Sequence, residues 1–242
     1  MVAAMWHTVR IVLLATAVLW HPAAMALTGE VAALSDVVVA QASNGDSRVL
    51  SLRSAIREGD LISTSDRAYA RIRFSDQSEI LVSPNSLVRI DTMRSDETQP
   101  AQDGFASSLI KGGLRAVTGL LARRNPLNYR LSTPTATIGI RGTRFLLLYC
   151  ADDCAGIASS SGQPPRNGLH LEVTEGIVFA RNSAGETDVG AGEFLFVPSL
   201  TMPGEKVTPA NAIRLILPPQ ADGPVSLLIG PGRSGELECS VR

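Results

Sequence analysis

The chain has 242 residues, of which 45% are hydrophobic and 5% aromatic, and its formal net charge at pH 7 is −1. A charge so close to zero gives no electrostatic case for nucleic acid or an anionic membrane surface as the partner. The few aromatic side chains also argue against base-stacking platforms and aromatic sugar-binding strips. The length suffices for one large β domain or two small ones. Ligand recognition by polar loops remains open.

The first 26 residues have the pattern of a secretory signal peptide. Arg10 precedes an apolar run at 11–20. Ala24 and Ala26 are the small residues that a signal peptidase reads, so we expect cleavage after Ala26 and a periplasmic or extracellular protein. The apolar run of about ten residues is shorter than the roughly 20 that a spanning helix needs. No membrane span is therefore expected after cleavage.

Short strands separated by turn residues follow from 31 to 90. In residues 70–74 apolar side chains alternate with Arg71 and Arg73, which we place on a solvated face. Strands at this spacing are typical of a sandwich, a barrel or a solenoid-like roll. Residues 93–104 are polar and contain proline, which predicts a loop.

Residues 109–121 are ambiguous between helix and strand. Leucine and valine recur there at helical spacing, but Gly112, Gly113 and Gly119 each disfavour a helix by about 1 kcal/mol relative to alanine. Extended structure is therefore predicted. The region is also the most basic of the chain, which indicates a solvated face or, as the weaker alternative, a contact surface for an acidic partner. Its cations are Lys111, Arg115, Arg123 and Arg124.

Strands resume after an insertion at 151–168 that is rich in Gly, Ser and Pro. We assign residues 27–199 to one β domain that includes this insertion. Residues 200–242 are assigned to a Pro-rich tail or a small β element, with apolar strands expected at 213–217 and 225–229.

Two early turns have later counterparts in the sequence. Residues 43–46 are echoed at 182–185, and residues 59–62 are echoed at 192–195. Two occurrences of each predict stacked or pseudo-symmetric β units within one domain.

Three cysteines lie in the part expected to be exported. Cys150 and Cys154 could close a small loop, and a disulfide is favoured outside the cytoplasm, although Cys239 could replace either partner. A zinc site is the alternative for residues 150–154. His170 is the one histidine beyond the signal segment, which disfavours zinc. We predict no metal and no cofactor.

Catalytic candidates are few. Asp76 and Glu79 flank a predicted turn and could act as the carboxylate pair of a glycan hydrolase. Asp152, Asp153 and His170 are the remaining candidates, but no nucleophile elbow, phosphate loop or metal-ligand spacing accompanies them. No catalytic residue and no enzyme activity are predicted.

Residues 133–145 form the most informative stretch. Apolar side chains alternate with small or polar ones over 135–140, which predicts a strand with one apolar face. Pro134 and Gly142 bracket this strand with bends. Arg141 falls on the polar face and is interpreted as a partly buried clasp for carboxylates or loop carbonyls, so its replacement by alanine should lower stability before it alters binding.

The chain resembles the FecR domain family at 59–64, at 70–78 and, most specifically, at 133–145. The resemblance spans about 56–145 and extends more weakly over 172–197. It implies an extracytoplasmic all-β domain without known catalysis, a FecR-type β-sandwich or roll with solenoid-like stacked short strands. The motif residues, which we regard as structural, are Thr133, Pro134, Ala136, Arg141, Gly142, Thr143 and Phe145.

The founding members of that family sense an iron-loaded outer-membrane receptor and control a sigma factor through a cytoplasmic segment and one membrane helix. This sequence starts with an export signal instead, so direct sigma-factor control is not expected. We predict a non-catalytic exported module that binds a protein or a cell-envelope glycan. The alternative is a sensor or regulatory component of iron or envelope signalling that acts through a partner membrane protein. A glycan-active enzyme ranks third.

Overall fold

A computed structural model describes residues 28–95, 102–155, 157 and 164–213. Within these residues the chain forms fifteen strands, one short helix and one 3-10 turn, so the predicted all-β fold class is confirmed. The predicted signal peptide and Cys239 lie outside the described part, as do residues 156 and 158–163 of the insertion and all of the expected tail strands except Ile213.

The strands are β1 (Gly29–Ser35), β2 (Val38–Gln41), β3 (Ser47–Val49), β4 (Ala55–Ile56), β5 (Leu61–Thr64), β6 (Tyr69–Phe74), β7 (Glu79–Val82), β8 (Leu87–Arg94), β9 (Gly104–Val117), β10 (Tyr129–Ser132), β11 (Thr137–Cys150), β12 (Gly168–Asn182), β13 (Gly185–Gly190), β14 (Phe194–Val197) and β15 (Glu205–Val207). Helix α1 is Leu120–Arg124, and the 3-10 turn is Pro126–Asn128.

All the described strands belong to one hydrogen-bonded sheet that folds over itself into two layers. The first layer contains β4, β1, β6, β7, β14 and β15, and the second contains β3, β2, β5, β8, β10 and β13. The long strands β9, β11 and β12 pass from one layer to the other, with one half in each. The strand pairing is antiparallel except between β9 and β10.

Strand β9 shows how a long strand changes layers. Residues 104–111 pair with β8 in the second layer, and residues 114–117 pair with β7 in the first. The bend falls at Gly112, where φ is +76° and an added Cβ would lie 2.3 Å from the Ser86 Oγ. Only glycine fits a backbone approach this close. The Ser86 hydroxyl fixes the bend because it accepts the Gly113 N–H at 2.8 Å.

Strands β11 and β12 bend together. The bends lie at Gly142, with φ of +59°, and Gly176, with φ of +78°. A Cβ on Gly176 would lie 2.3 Å from the Gly142 carbonyl oxygen, so the two backbones touch at the crossover. A Glu-Gly pair is typical of a turn, but residues 175 and 176 continue one strand through this bend.

The core lies between the two layers. Phe74 of the first layer packs edge-on against Phe105 of the second, with ring centroids 5.0 Å apart. Tyr129 stacks on Phe105 at 5.1 Å. The inward residues of β6 are Ala70, Ile72 and Phe74, as the alternation predicted, and all three are buried.

The predicted internal echo is present in the backbone of two turns, at 57–60 and 190–193. In the first, the Asp60 carboxylate accepts the Arg57 N–H at 2.7 Å. In the second, the Glu193 carboxylate accepts the Gly190 N–H at 2.7 Å. The backbone of each turn also forms two hydrogen bonds with a neighbouring strand, with Ile90 in the first turn and with Val173 in the second.

Three details differ from the sequence predictions. Residues 109–117 are extended as predicted, but helix α1 follows them because Leu121 and Ala122 can close the end of the core. Arg71 is buried rather than solvated, since Glu79 lies beside it on the same face. Strand β15 falls in the region assigned to the tail and pairs with β14.

Candidate functional site

The 133–145 motif begins with a side-chain-locked turn between β10 and β11. The Thr133 hydroxyl accepts the Ala136 N–H at 3.0 Å and donates to the Ala136 carbonyl at 2.9 Å. Pro134 follows with the fixed φ that suits the second position of such a turn. The alternation after it is as predicted, with Ala136, Ile138 and Ile140 buried in the core.

The second half of the motif builds the crossover between layers. After the Gly142 bend, the Thr143 N–H donates to the Thr118 hydroxyl at 2.8 Å, and the Thr118 N–H donates to the Thr143 carbonyl at 3.0 Å. Phe145 then enters the core fully buried. These contacts give Thr133, Gly142, Thr143 and Phe145 roles in the scaffold.

The clasp predicted at Arg141 is wrong. Its side chain is exposed, and its guanidinium carbon lies 5.4 Å from the centroid of the Phe179 ring. It forms no ion pair with a described residue. The reason is geometric, because the polar face of this strand turns to solvent and the two threonines join the backbones instead.

The candidate catalytic carboxylates are held in structural bonds. Asp76 accepts the Ser78 N–H at 3.0 Å with one oxygen, and the Leu121 N–H at 3.3 Å with the other. Glu79 lies among three arginines at 3.8 to 4.0 Å: Arg71, Arg73 and Arg115. Asp76 thus fastens the turn to α1, while Glu79 neutralises a cationic face.

A disulfide between Cys150 and Cys154 closes a five-residue loop at the start of the insertion. Asp152 exchanges two hydrogen bonds with Asn167, at 2.8 and 2.6 Å, which join the two ends of the insertion. Asp153 accepts the Ala151 N–H and lies 3.5 Å from the Lys111 ammonium. The two aspartates therefore organise the loop.

A cavity of about 200 Å³ opens where the insertion returns to β12. Its wall combines apolar side chains with an imidazole, an amide and one cation, and includes Arg166, His170, Phe196, Val207, Asn211 and Ile213. The guanidinium of Arg166 stacks 3.9 Å above the Phe196 ring, and its outer edge pairs with Glu205 at 3.5 Å. No pattern in the sequence predicted this cavity, because its residues come from three separate segments of the chain.

His170 lies in the wall of this cavity. Its Nε2 donates to the Arg166 carbonyl at 2.9 Å, and its ring lies 4.8 Å from that of Phe196. Burial lowers the pKa of this imidazole below its ordinary value, and the nearby Arg166 charge acts in the same direction. The imidazole is therefore neutral near pH 7.

In residues 28–95, 102–155, 157 and 164–213, no three His, Cys, Asp or Glu side chains converge on a common point that could hold a metal ion. No helix there is long and apolar enough to cross a membrane.

The fold defines an all-β domain whose long strands are shared between two layers. Residues 60–179 match the family model described as FecR protein. This part of the chain is a FecR domain, so the family predicted from the sequence is confirmed.

Solved structures similar to this chain include two of a candidate anti-sigma factor from Parabacteroides distasonis ATCC 8503. Each has a TM-score of 0.45, and the sequence identities are 12% and 13%. Each match covers 63% of this chain and 60% of the other, so the chain spans less than two thirds of these structures. A search of curated proteins found no match.

Proposed function

We propose that this protein is a non-catalytic, exported FecR-domain module that binds a protein partner at the cavity where the insertion returns to β12. The observation that carries the proposal is the contrast between that cavity and the candidate catalytic groups. The carboxylates of Asp76, Glu79, Asp152 and Asp153 are engaged in structural bonds. The cavity instead exposes the mixture of apolar surface and a stacked arginine that suits a peptide.

The strand beside the cavity supports a peptide as the ligand. Strand β15 carries Val207 of the cavity wall and, among the described strands, pairs with β14 alone. A partner segment in extended conformation can add to such an edge and place one apolar side chain in the hollow. A glycan is the weaker candidate because both phenyl rings of the wall, Phe194 and Phe196, are buried, and the Arg166 guanidinium covers that of Phe196.

A regulatory role in signalling is the second candidate, and the FecR family match favours it. In this form the partner is a membrane protein that carries the signal onward. A deletion strain with unchanged iron-response and envelope-stress transcription would remove this candidate while leaving the binding module intact.

Site-specific photo-crosslinking in the envelope tests the binding proposal. A photoreactive amino acid replaces Asn211 in the cavity wall. The matched control replaces Arg67, whose side chain is 83% exposed and which is distant from position 211 in the sequence. We expect a discrete crosslinked protein from position 211 and none from position 67. Crosslinking from neither position, or the same products from both, would contradict the proposal.

A further inference from the structure

The connection between β9 and β10, together with the first two residues of β10 (118–130), forms a basic surface with projecting leucines that the cavity does not explain. Parallel strands need a connection that returns the chain across the sheet, and here α1 and the 3-10 turn supply it. Leu121 and Ala122 face the core, while Leu120, Arg123 and Arg124 face solvent. We call residues 118–130 the β9–β10 crossover.

The charged residues in and around the crossover are all basic. Residues 104–150 contain seven Lys and Arg residues and no Asp or Glu. Three of the seven have carboxylate partners from other segments: Lys111, Arg115 and Arg144. In the crossover, Arg123, Arg124 and Arg130 are exposed and form no ion pair with any described residue. The cationic charge is therefore concentrated where it faces solvent.

Exposed apolar side chains lie among these arginines. Leu127 is 81% exposed, the largest value for a large hydrophobic side chain in the described ranges, and Leu120 is 40% exposed. Leu127 follows Pro126 at the start of a tight 3-10 turn, and its carbonyl accepts the Arg130 Nε–H at 3.4 Å. The leucine thus projects from a braced backbone, three residues after Arg124 and three before Arg130 in the sequence.

We propose that the β9–β10 crossover docks on an anionic phospholipid surface, with the arginines on the phosphates and Leu127 inserted among the acyl chains. Guanidinium groups match phosphate oxygens bidentately, and an apolar side chain beside them gains from entering the interface. The overall charge of −1 does not oppose this contact, because salt limits electrostatic reach to about 8 Å. An acidic protein is less favoured because it would need a hollow shaped for a projecting Leu127.

The placement of tryptophan in the sequence allows a direct test. Both tryptophans, Trp6 and Trp20, lie in the predicted signal peptide, so an exported chain carrying Trp6→Phe and Trp20→Phe has no indole whether or not it is cleaved. Leu127→Trp then reports on the crossover alone, and Val49→Trp, at a position 71% exposed in strand β3, is the matched control.

We expect the Leu127→Trp emission to shift to the blue, and to be quenched by brominated acyl chains, with phosphatidylglycerol vesicles but not with phosphatidylcholine vesicles. The Val49→Trp emission should stay unchanged with both. Adding Arg123→Glu and Arg124→Glu should weaken binding by about tenfold or more, and raising the salt concentration should weaken it as well.

Three outcomes would overturn the proposal. The first is an emission that ignores anionic vesicles at low salt. The second is vesicle binding that persists after both charge reversals. The third is a crosslink from position 127 to an acidic envelope protein without any vesicle binding, which would assign the surface to a protein partner. None of these outcomes depends on the cavity, so this inference and the proposed function can fail separately.

Discussion

The two turns at 57–60 and 190–193 are built alike but placed differently. In both, a carboxylate closes the turn on the N–H three residues earlier, and a cation binds that carboxylate. Asp60 is 1% exposed and binds Arg48, with one of its contacts at 2.9 Å. The Glu193 side chain is 42% exposed and binds Lys206 at 2.8 Å.

Two turns with the same backbone geometry can therefore contribute very different amounts to the stability of the fold. The geometry follows from the positive-φ glycine and the closing carboxylate, which both turns share. The energy depends on solvent, because an ion pair in water contributes little and a buried carboxylate that loses its partner is costly. Each turn therefore serves as the control for the other.

The largest effect is expected from neutralising the acids. Asp60→Asn removes a buried carboxylate that accepts from Arg48 and from the Arg57 N–H, and it should lower the free energy of unfolding by about 2–3 kcal/mol. Glu193→Gln should cost less than about 1 kcal/mol because water replaces the lost charge contact. Urea unfolding of both variants measures the difference, and equal losses would show that burial does not distinguish the two turns.

A smaller difference is expected at the glycines. Gly59 has a φ of +87° and a built Cβ would lie 3.3 Å from the Ser43 Cβ, whereas Gly192 has a φ of +82° and open space around it. Alanine should therefore cost about 2 kcal/mol at position 59 and about 1 kcal/mol at position 192. Thermal unfolding of the two variants compares them, and a greater loss at 192 would contradict the contact geometry.

Mild acid should weaken the part of the sheet formed by β12 and β14, close to Glu193, because His170 lies in β12. Burial lowers the pKa of His170 in the folded protein, so the unfolded chain binds the proton more readily. The stability is fully present above about pH 6.5 and is lost as the pH falls through the folded pKa. Hydrogen exchange should show β12 and β14 losing protection before β5 and β8. The His170→Gln variant keeps a side-chain donor and should lack this pH dependence.

The smallest effect concerns Glu193 itself. The Gly190 N–H and then Lys206 hold the pKa of this carboxyl below its ordinary value. Its contribution is present above about pH 4.5 and disappears as the pH falls further. The stability difference between the wild type and Glu193→Gln should therefore shrink on acidification toward pH 3. A difference that grows on acidification would contradict the assigned contacts.

The strands were largely predictable, but the layers were not. Alternation places the inward residues of β6 and β11 correctly because sheet periodicity is local. The bend at Gly176 looks like a hairpin turn in the sequence, since a glycine with positive φ serves both purposes. The distinction depends on the Gly142 carbonyl 34 positions earlier, which no local pattern contains.

The site was less predictable than the fold. The Arg141 clasp failed because a guanidinium on a polar face can turn either to solvent or to a partner, and the choice depends on distant strands. Arg71, with the same alternation, is buried because Glu79 and Arg115 share its face. The cavity could not be predicted, because Arg166, Phe196 and Asn211 become neighbours only after folding.

The central claim is that the FecR motif builds the scaffold, while the cavity at the end of the insertion binds a protein partner. It is tested most directly by measuring the unfolding free energy and the crosslinking yield from position 211 together, in Thr133→Val and Arg166→Ala. Thr133→Val should lose about 1–2 kcal/mol and keep its crosslink, because it removes only turn hydrogen bonds. Arg166→Ala should stay within about 1 kcal/mol of the wild type and lose the crosslink. Loss of the crosslink in Thr133→Val at unchanged stability would contradict the account.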